Sequence, residues 1–144
     1  MSDEVIAIAS DHGGFDFKEL LKEDLESMGY GILDLGCHDS GSVDYPNYAN
    51  KMAAAILNES ASRGVLVCGS GIGISIAANR HKHIRAALVH DGLTARLCRE
   101  HNNANVLVLG GRTTGIEVAK DCLKVFLDTE FEGGRHQNRI DIMS

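Results

Sequence analysis

Several features are scarce or absent in this sequence of 144 residues. No apolar run approaches the ~20 residues that a helix needs to cross a bilayer, so no membrane-spanning segment is predicted. None of the four cysteines lies in a CxxC pair, and no group of histidines and cysteines has zinc-site spacing, so no metal is expected. Acidic residues outnumber basic ones, 20 to 14, and the net charge of -6 argues against nonspecific nucleic-acid binding.

Internal repeats, linkers and low-complexity segments are also absent. Because the length is typical of one domain, residues 1–144 are predicted to form a single domain. The first residues, MSDEVIAIAS, are acidic and lead directly into an apolar run, unlike a signal peptide, so a cytoplasmic protein is expected. Cysteines stay reduced there, and Cys37, Cys98 and Cys122 are predicted to be small buried packing residues.

What the sequence does contain is a regular alternation of strand-like and helix-like segments. Its continuous β-branched, apolar runs are typical of strands buried on both faces of a parallel sheet. The predicted strands are residues 5–10, 31–36, 64–69, 84–90 and 105–111. The predicted helices are one that ends near residue 29 and others over about 48–57, 74–79, 92–100 and 115–126. Residues 38–48, with the single proline Pro46, are predicted to form a loop, and the tail after residue 126 has no clear pattern.

This alternation predicts an α/β fold in which a doubly wound, five-stranded parallel sheet lies between helical layers. In such a sheet, ligands bind beyond the carboxyl ends of the strands. The polar segments that follow the apolar runs are residues 10–12, 68–70, 90–91 and 111–112. Several of these segments are therefore expected to meet at one rim of the sheet.

A glycine-rich turn, CGSGIG, follows the third predicted strand at residues 68–73. It is not the dinucleotide fingerprint GxGxxG, because Ile74 stands where the third glycine belongs. It is not a Walker phosphate loop, because it contains no lysine. A cysteine phosphatase is also excluded, because the sixth residue after Cys68 is Ile74 and not an arginine.

Two interpretations of Cys68 remain open from the residues alone. Glycines let backbone N–H groups approach a ligand closely, and N–H groups at the start of a helix hold negative charge. A cysteine beside such donors suits proton abstraction next to a carbonyl, which needs a base and a cradle for the enediolate. In the other interpretation, Cys68 only packs in a tight turn between strand and helix.

Five motifs in order along the chain, SDHGG, VDYPNYA, CGSGIGISIAANR, REHNNANVLVLGGR and EGGRHQNR, resemble one family of sugar-phosphate isomerases. That family contains ribose-5-phosphate isomerase B and the galactose-6-phosphate isomerase subunits. The resemblance implies a Rossmann-like α/β domain that interconverts aldose and ketose phosphates through an enediolate, without metal or cofactor. It also implies a homodimer or homotetramer whose C-terminal tail reaches a neighbouring subunit's active site.

The resemblance also implies roles for the glycine-rich loop. Cys68 matches the residue that moves a proton between C2 and C1 of the sugar. Ser70 stands where the family's threonine is expected and keeps the hydroxyl for proton relay. The loop residues implied to hold the enediolate oxygens are Gly69, Gly71, Ile72 and Gly73.

Further matches concern the sugar ring. His101 matches the histidine that opens the furanose ring, a step that requires a proton donor with a near-neutral pKa. Asn102 matches a contact to a substrate hydroxyl group. Asp11 and Tyr45 match residues that line the sugar.

The phosphate end can be interpreted partly from spacing. If residues 135–139 are helical, Arg135 and Arg139 share one face, and two guanidinium groups suit a phosphate dianion. A solvated basic face is the alternative from the residues alone. The resemblance assigns Arg135 and Arg139 to the phosphate together with His12 and Arg112, and His136, in the same basic segment, is a further expected substrate-binding residue.

The expected function is therefore interconversion of ribose 5-phosphate and ribulose 5-phosphate, in the pentose phosphate pathway. One alternative is the same reaction on a six-carbon substrate, allose 6-phosphate or galactose 6-phosphate. The other is a non-catalytic module that binds sugar phosphates. Neither nucleic acid nor membrane is expected as a partner.

Overall fold

The computed structural model describes residues 3–144, which form a five-stranded, all-parallel sheet with helices on both faces. The strands are β1 Val5–Ser10, β2 Gly31–Gly36, β3 Arg63–Cys68, β4 Ala86–Leu88 and β5 Val106–Gly110. The helices are α1 Phe15–Ser27, α2 Tyr45–Leu57, α3 Ile72–Ala78, α4 Gly92–Glu100, α5 Ile116–Asp128 and α6 Arg135–Met143. The predicted Rossmann-like α/β fold is thus confirmed.

Two apolar cores lie on opposite faces of the sheet. On one face, α1, α4 and α5 pack through residues such as Leu21, Ala95 and Phe126. On the other face, α2 and α3 pack through residues such as Met52 and Ile74. The central strands β1, β3 and β5 contribute to both faces, which explains their unbroken apolar runs.

The strand order, β2-β1-β3-β5-β4, places β1 and β3 side by side at the centre of the sheet. The chain leaves β1 through α1 on one face and leaves β3 through α3 on the other. A crevice therefore opens between the carboxyl ends of β1 and β3, where ligands bind in folds of this type.

Most element boundaries lie within two residues of the sequence prediction, and three differences concern the site or the edge of the sheet. Helix α2 begins at Tyr45, so Pro46 lies in its first turn and not in a loop. Proline fits this position because the N–H groups of a helix's first turn have no partner within the helix. Helix α3 begins at Ile72, two residues earlier than predicted. Strand β4, at the edge of the sheet beside β5, covers only Ala86–Leu88 and is shorter than the predicted 84–90.

Other features agree with the sequence or complete it. Cys37, Cys98 and Cys122 are buried, as predicted for packing residues. The tail beyond α5 forms a further helix, α6, which the sequence did not define. Within residues 3–144, every helix is too short or too polar to span a membrane.

Candidate active site

Cys68 is the last residue of β3, and it lies in the crevice beside β1. Its side chain is buried, and Sγ accepts a hydrogen bond from the N–H of Gly71 at 3.1 Å. Gly71 has a left-handed backbone with φ +78°, and a Cβ there would lie 2.5 Å from Cδ1 of Leu88. Glycine is therefore required for the N–H to point back at the sulfur.

The rest of the glycine-rich loop is shaped by its neighbours. The hydroxyl of Ser70 accepts the N–H of Ile72 at 3.2 Å, so Ser70 is fixed next to Cys68. A Cβ on Gly73 would lie 2.6 Å from the ring of Tyr45, which places that ring directly against the loop. Tyr45 is 38% exposed, so it forms one wall of an open crevice.

Arg112 covers the other side of this loop. Its N–H donates to the carbonyl oxygen of Gly69 at 2.8 Å, and the N–H of Gly111 donates to that of Cys68 at 2.8 Å. A Cβ on Gly69 would lie 3.5 Å from Nη1 of Arg112, so the guanidinium lies beside the loop. The loops after β3 and β5 are thus joined through their backbones, and a cation is held close to the crevice.

Asp11 and His12 follow β1 on the opposite side of the crevice. Asp11 is buried, and its carboxylate accepts the N–H of Gly14 at 3.2 Å, which caps the short 3-10 turn His12–Gly14. Nδ1 of His12 accepts the N–H of Val43 at 3.1 Å. The proton of a neutral His12 is therefore on Nε2, which is the donor that remains for a ligand.

We call these residues the carboxyl-edge cluster. The structure brings them together from four separate segments of the chain. Its members are Asp11, His12, Tyr45, Cys68, Gly69, Ser70, Gly71, Ile72, Gly73 and Arg112.

The remaining predicted site residues lie at the opposite edge of the sheet. Helix α4 runs back from the carboxyl ends of the strands, and His101 follows its last residue. Nε of Arg85, the residue before β4, donates to the carbonyl oxygen of Asn102 at 3.1 Å. The nine residues of α4 span about 13 Å, so His101 and Asn102 are far from Cys68 of the same chain.

Helix α6 lies beside His101. Arg135 and Arg139 occupy its exposed face one turn apart, as the spacing predicted. His136 is buried, and its ring stacks on that of His101 with centroids 4.4 Å apart and planes inclined by 17°. We call His101, Asn102, Arg135, His136 and Arg139 the amino-edge cluster.

One residue of this region, Glu132, was not singled out from the sequence. Its Oε1 lies 3.5 Å from Nε2 of His136, and its N–H donates to the carbonyl oxygen of Glu100 at 3.1 Å. Gly133 and Gly134, with φ +70° and +58°, turn the chain between Glu132 and α6. The GG pair was visible in the sequence as a break, but its turn could not be linked to His101 without the fold.

His101, Glu132 and His136 offer ligand atoms within 4.8 Å of one another, so they are a candidate metal site. A metal bonds to imidazole nitrogen in the plane of the ring. Because the two rings are stacked at 4.4 Å and nearly parallel, their nitrogen lone pairs do not converge on one point. The trio as folded is therefore a stacked histidine pair with an acidic partner.

The other thiols have different surroundings. Burial raises the pKa of Cys98 to about 11 and that of Cys122 to about 11. Sγ of Cys98 donates to the carbonyl oxygen of Ala95 at 3.1 Å, which is a packing contact inside α4. Cys68 differs from both, because it accepts a backbone N–H at the edge of an open crevice.

Comparison with known proteins shows the family to which the chain belongs. The model of the Ribose/Galactose Isomerase family matches residues 6–143. Ribose-5-phosphate isomerase B of Escherichia coli strain K12 is 40% identical over 139 residues, 96% of this chain and 93% of that protein. A ribose 5-phosphate isomerase structure from Thermotoga maritima aligns with TM-score 0.96 and 49% identity, over 99% of this chain and 98% of that one. Ribose-5-phosphate isomerase B of Clostridium thermocellum aligns with TM-score 0.95 and 44% identity, over 96% and 94% of the two chains. The chain therefore belongs to the ribose/galactose isomerase family.

Proposed function

We propose that this protein is an isomerase that interconverts ribose 5-phosphate and ribulose 5-phosphate. The observation that carries the proposal is the 3.1 Å hydrogen bond from the N–H of Gly71 to Sγ of Cys68, in a crevice at the carboxyl edge. The relatives named above act on a five-carbon sugar phosphate according to their names, which supports this substrate over six-carbon ones.

The chemistry follows from the positions of base and donors. The Cys68 thiolate takes the proton from C2 of the open-chain aldose, and the electron pair moves into the C1 carbonyl to form an enediolate. Backbone N–H groups of the loop hold the negative oxygen, and the Ser70 hydroxyl relays a proton between O2 and O1. Cys68 then returns its proton to C1, which leaves the ketone at C2.

We propose that the phosphate is bound by cations from both clusters. Arg112 lies beside the loop, and Nε2–H of His12 points away from its bond to Val43. Arg135 and Arg139 supply two further guanidinium groups on one face of α6. Charged donors of this kind bind a phosphate dianion with strong, short hydrogen bonds.

The two clusters are too far apart to act on one sugar within a single chain, so we propose that each active site is shared by two copies. His101 of one copy would open the ring of a sugar held by Cys68 of another. Exposed apolar side chains on both half-sites support this assembly. Ile72 and Ile76 of α3 are each 55% exposed, and Ile142 and Met143 of α6 are 84% and 62% exposed.

We further propose that residues 1–144 form one catalytic domain that works in the cytoplasm. The family model spans residues 6–143, and all five strands belong to one sheet, which supports one domain. Sugar phosphates are the expected small-molecule partner, and no cofactor takes part in the proposed steps.

The first test is turnover of ribose 5-phosphate by the wild type and by Cys68→Ala, with allose 6-phosphate and galactose 6-phosphate as comparison substrates. We expect turnover of ribose 5-phosphate that the variant loses by about 10³-fold. Equal activity in both proteins would remove Cys68 as the base. Turnover of only a six-carbon phosphate would change the substrate, and no turnover at all would favour a binding module.

The second test mixes two inactive variants, Cys68→Ala and His101→Ala, after unfolding and refolding together. In a mixed dimer one site carries both substitutions and the other carries neither. Random pairing of equal amounts then restores about 25% of wild-type activity if sites are shared across a two-fold axis. A mixture that stays as inactive as its components would contradict the shared site.

A further inference from the structure

The stacked pair of histidines at the amino edge has a consequence for ring opening. His101 follows the last turn of α4 and is half-buried, whereas His136 is only 7% exposed. The ring centroids are 4.4 Å apart and the rings are nearly parallel, so His136 packs against one face of the His101 imidazole. A ring covered in this way loses most of its rotamer freedom and keeps one orientation.

His136 has an acidic side chain as its partner. Its Nε2 faces Oε1 of Glu132 at 3.5 Å, and Ile140, one turn further along α6, is also buried. The N–H of Glu132 donates to the carbonyl oxygen of Glu100, which ties the start of α6 to the end of α4. Among residues 3–144, nothing lies within 4 Å of a Cβ built on Gly133 or Gly134, so these glycines serve the turn and not a close contact.

We propose that His136 is a positioning residue for ring opening: its flat ring stacks on His101 and sets the direction in which that imidazole delivers and accepts protons. This proposal rests on the proposed function of His101. It gives His136 a role through another residue, in place of the direct substrate contact suggested by its basic neighbours Arg135 and Arg139.

A partial reaction separates ring opening from proton transfer. Ribose 5-phosphate is mainly a furanose and must be opened, because its C4 hydroxyl is free to attack C1. Ribulose 5-phosphate stays open, because the O5 that would close a furanose on its C2 ketone carries the phosphate. Deuterium uptake from D2O at C1 of ribulose 5-phosphate therefore reports the Cys68 step without ring opening.

The experiment compares His136→Ala, which removes the stacked ring, with His136→Phe, which keeps a flat ring without nitrogens. Gln137→Ala is the matched control, because it removes only a surface hydrogen bond of α6 to Asp141. For ribose 5-phosphate we expect kcat/KM of His136→Ala to fall by 10- to 100-fold, the order expected when a catalytic group is misplaced. Deuterium uptake from ribulose 5-phosphate should stay within about 3-fold of wild type, since Cys68 and the phosphate contacts are untouched.

His136→Phe should recover most of the lost kcat/KM, and Gln137→Ala should match the wild type. Equal loss in the Phe and Ala variants would overturn the proposal, because it would assign the effect to the nitrogens of His136. A parallel fall of deuterium uptake and isomerisation would also overturn it, because displacement of α6 would then explain both. If the wild type itself converts no ribose 5-phosphate, the proposed function fails, and the inference fails with it.

Discussion

The carboxyl-edge cluster is organised mainly by backbone hydrogen bonds, and the amino-edge cluster mainly by side-chain contacts. At the carboxyl edge, backbone hydrogen bonds join the loops: the carbonyl oxygens of Val67, Cys68 and Gly69 accept N–H groups from the segments after β1 and β5. The amino-edge cluster consists instead of side chains: a stacked histidine pair and two exposed arginines on α6. In the proposed mechanism, the enediolate needs donors that are fixed beforehand, whereas ring opening and part of the phosphate binding belong to side chains of the amino edge.

The sharpest test of this comparison is the pair Cys68→Ser and His101→Ala. Each should lower turnover of ribose 5-phosphate by about 10²- to 10⁴-fold, as expected when a general acid or base is lost. Only Cys68→Ser should also abolish deuterium uptake at C1 of ribulose 5-phosphate. Nuclear magnetic resonance spectra in D2O measure that uptake. Equal uptake by the two variants would contradict the proposal that Cys68 transfers the proton and His101 opens the ring.

The backbone character of the carboxyl edge is tested by Gly71→Ala. Its Cβ would meet Cδ1 of Leu88 at 2.5 Å and the backbone of Leu109 at 3.1 Å, at a φ that alanine disfavours. We expect kcat to fall by about 10²-fold, because the loop that holds the base Cys68 would be displaced, and the free energy of unfolding to fall by about 2–4 kcal/mol.

The matched control is Gly115→Ala, which adds a Cβ with nothing within 4 Å. Its stability should stay within about 1 kcal/mol of wild type, and its kcat should be unchanged. Urea unfolding and steady-state kinetics measure both quantities. If Gly71→Ala behaved like this control, the Gly71 N–H would have no part in holding Cys68.

The side-chain character of the amino edge is tested by Arg139→Ala. Loss of one charged hydrogen bond to phosphate should raise KM about 10-fold with little change in kcat. Arg80→Ala, which removes another exposed arginine, is the control and should leave KM unchanged. Inhibition by inorganic phosphate should weaken in parallel with KM; a fall in kcat alone would place Arg139 away from the phosphate.

The smallest effect on catalysis is expected at Asp34, whose carboxylate accepts hydrogen bonds from Lys18 and Lys22 at 2.8 Å. Burial alone raises the pKa of Asp34, but the two lysines and the N–H of Gly36 outweigh it and lower the pKa from 3.8 to about 2. The side chain of Lys18 is fully buried, so Asp34→Asn leaves a buried cation with only Glu19 as a charged partner. We expect a loss of about 2 kcal/mol at pH 7 with kcat retained.

The pH dependence follows from the lowered pKa. A carboxyl group with a depressed folded pKa contributes stability above its unfolded pKa and loses it as the pH falls through the folded value. The stability difference between wild type and Asp34→Asn should therefore shrink between about pH 4 and pH 2. Asp128→Asn, at an exposed aspartate, is the control, and a difference that stays constant over this range would contradict the assignment.

Much of the carboxyl edge could be predicted from the sequence because its determinants are local. Apolar runs marked the strands, and a glycine-rich turn directly after β3 marked the loop beside Cys68. The i, i+4 spacing of Arg135 and Arg139 placed both on one helical face, as α6 confirms. The sequence prediction started α2 too late, and this error also has a local cause. Proline is typical both of loops and of the first turn of a helix, so Pro46 did not distinguish the two.

The amino edge depended on contacts that sequence periodicity does not encode. Only the direction of α4 and the order of β5 and β4 decide that His101 lies at the edge opposite Cys68. Only the turn at Gly133–Gly134 brings Glu132 and His136 to His101, which precedes them by 31 and 35 residues. The sequence by itself determined the strands and the glycine-rich loop that carries Cys68, because neighbours along the chain set them. The tertiary structure alone decided which catalytic groups share an edge, because that depends on how distant segments pack.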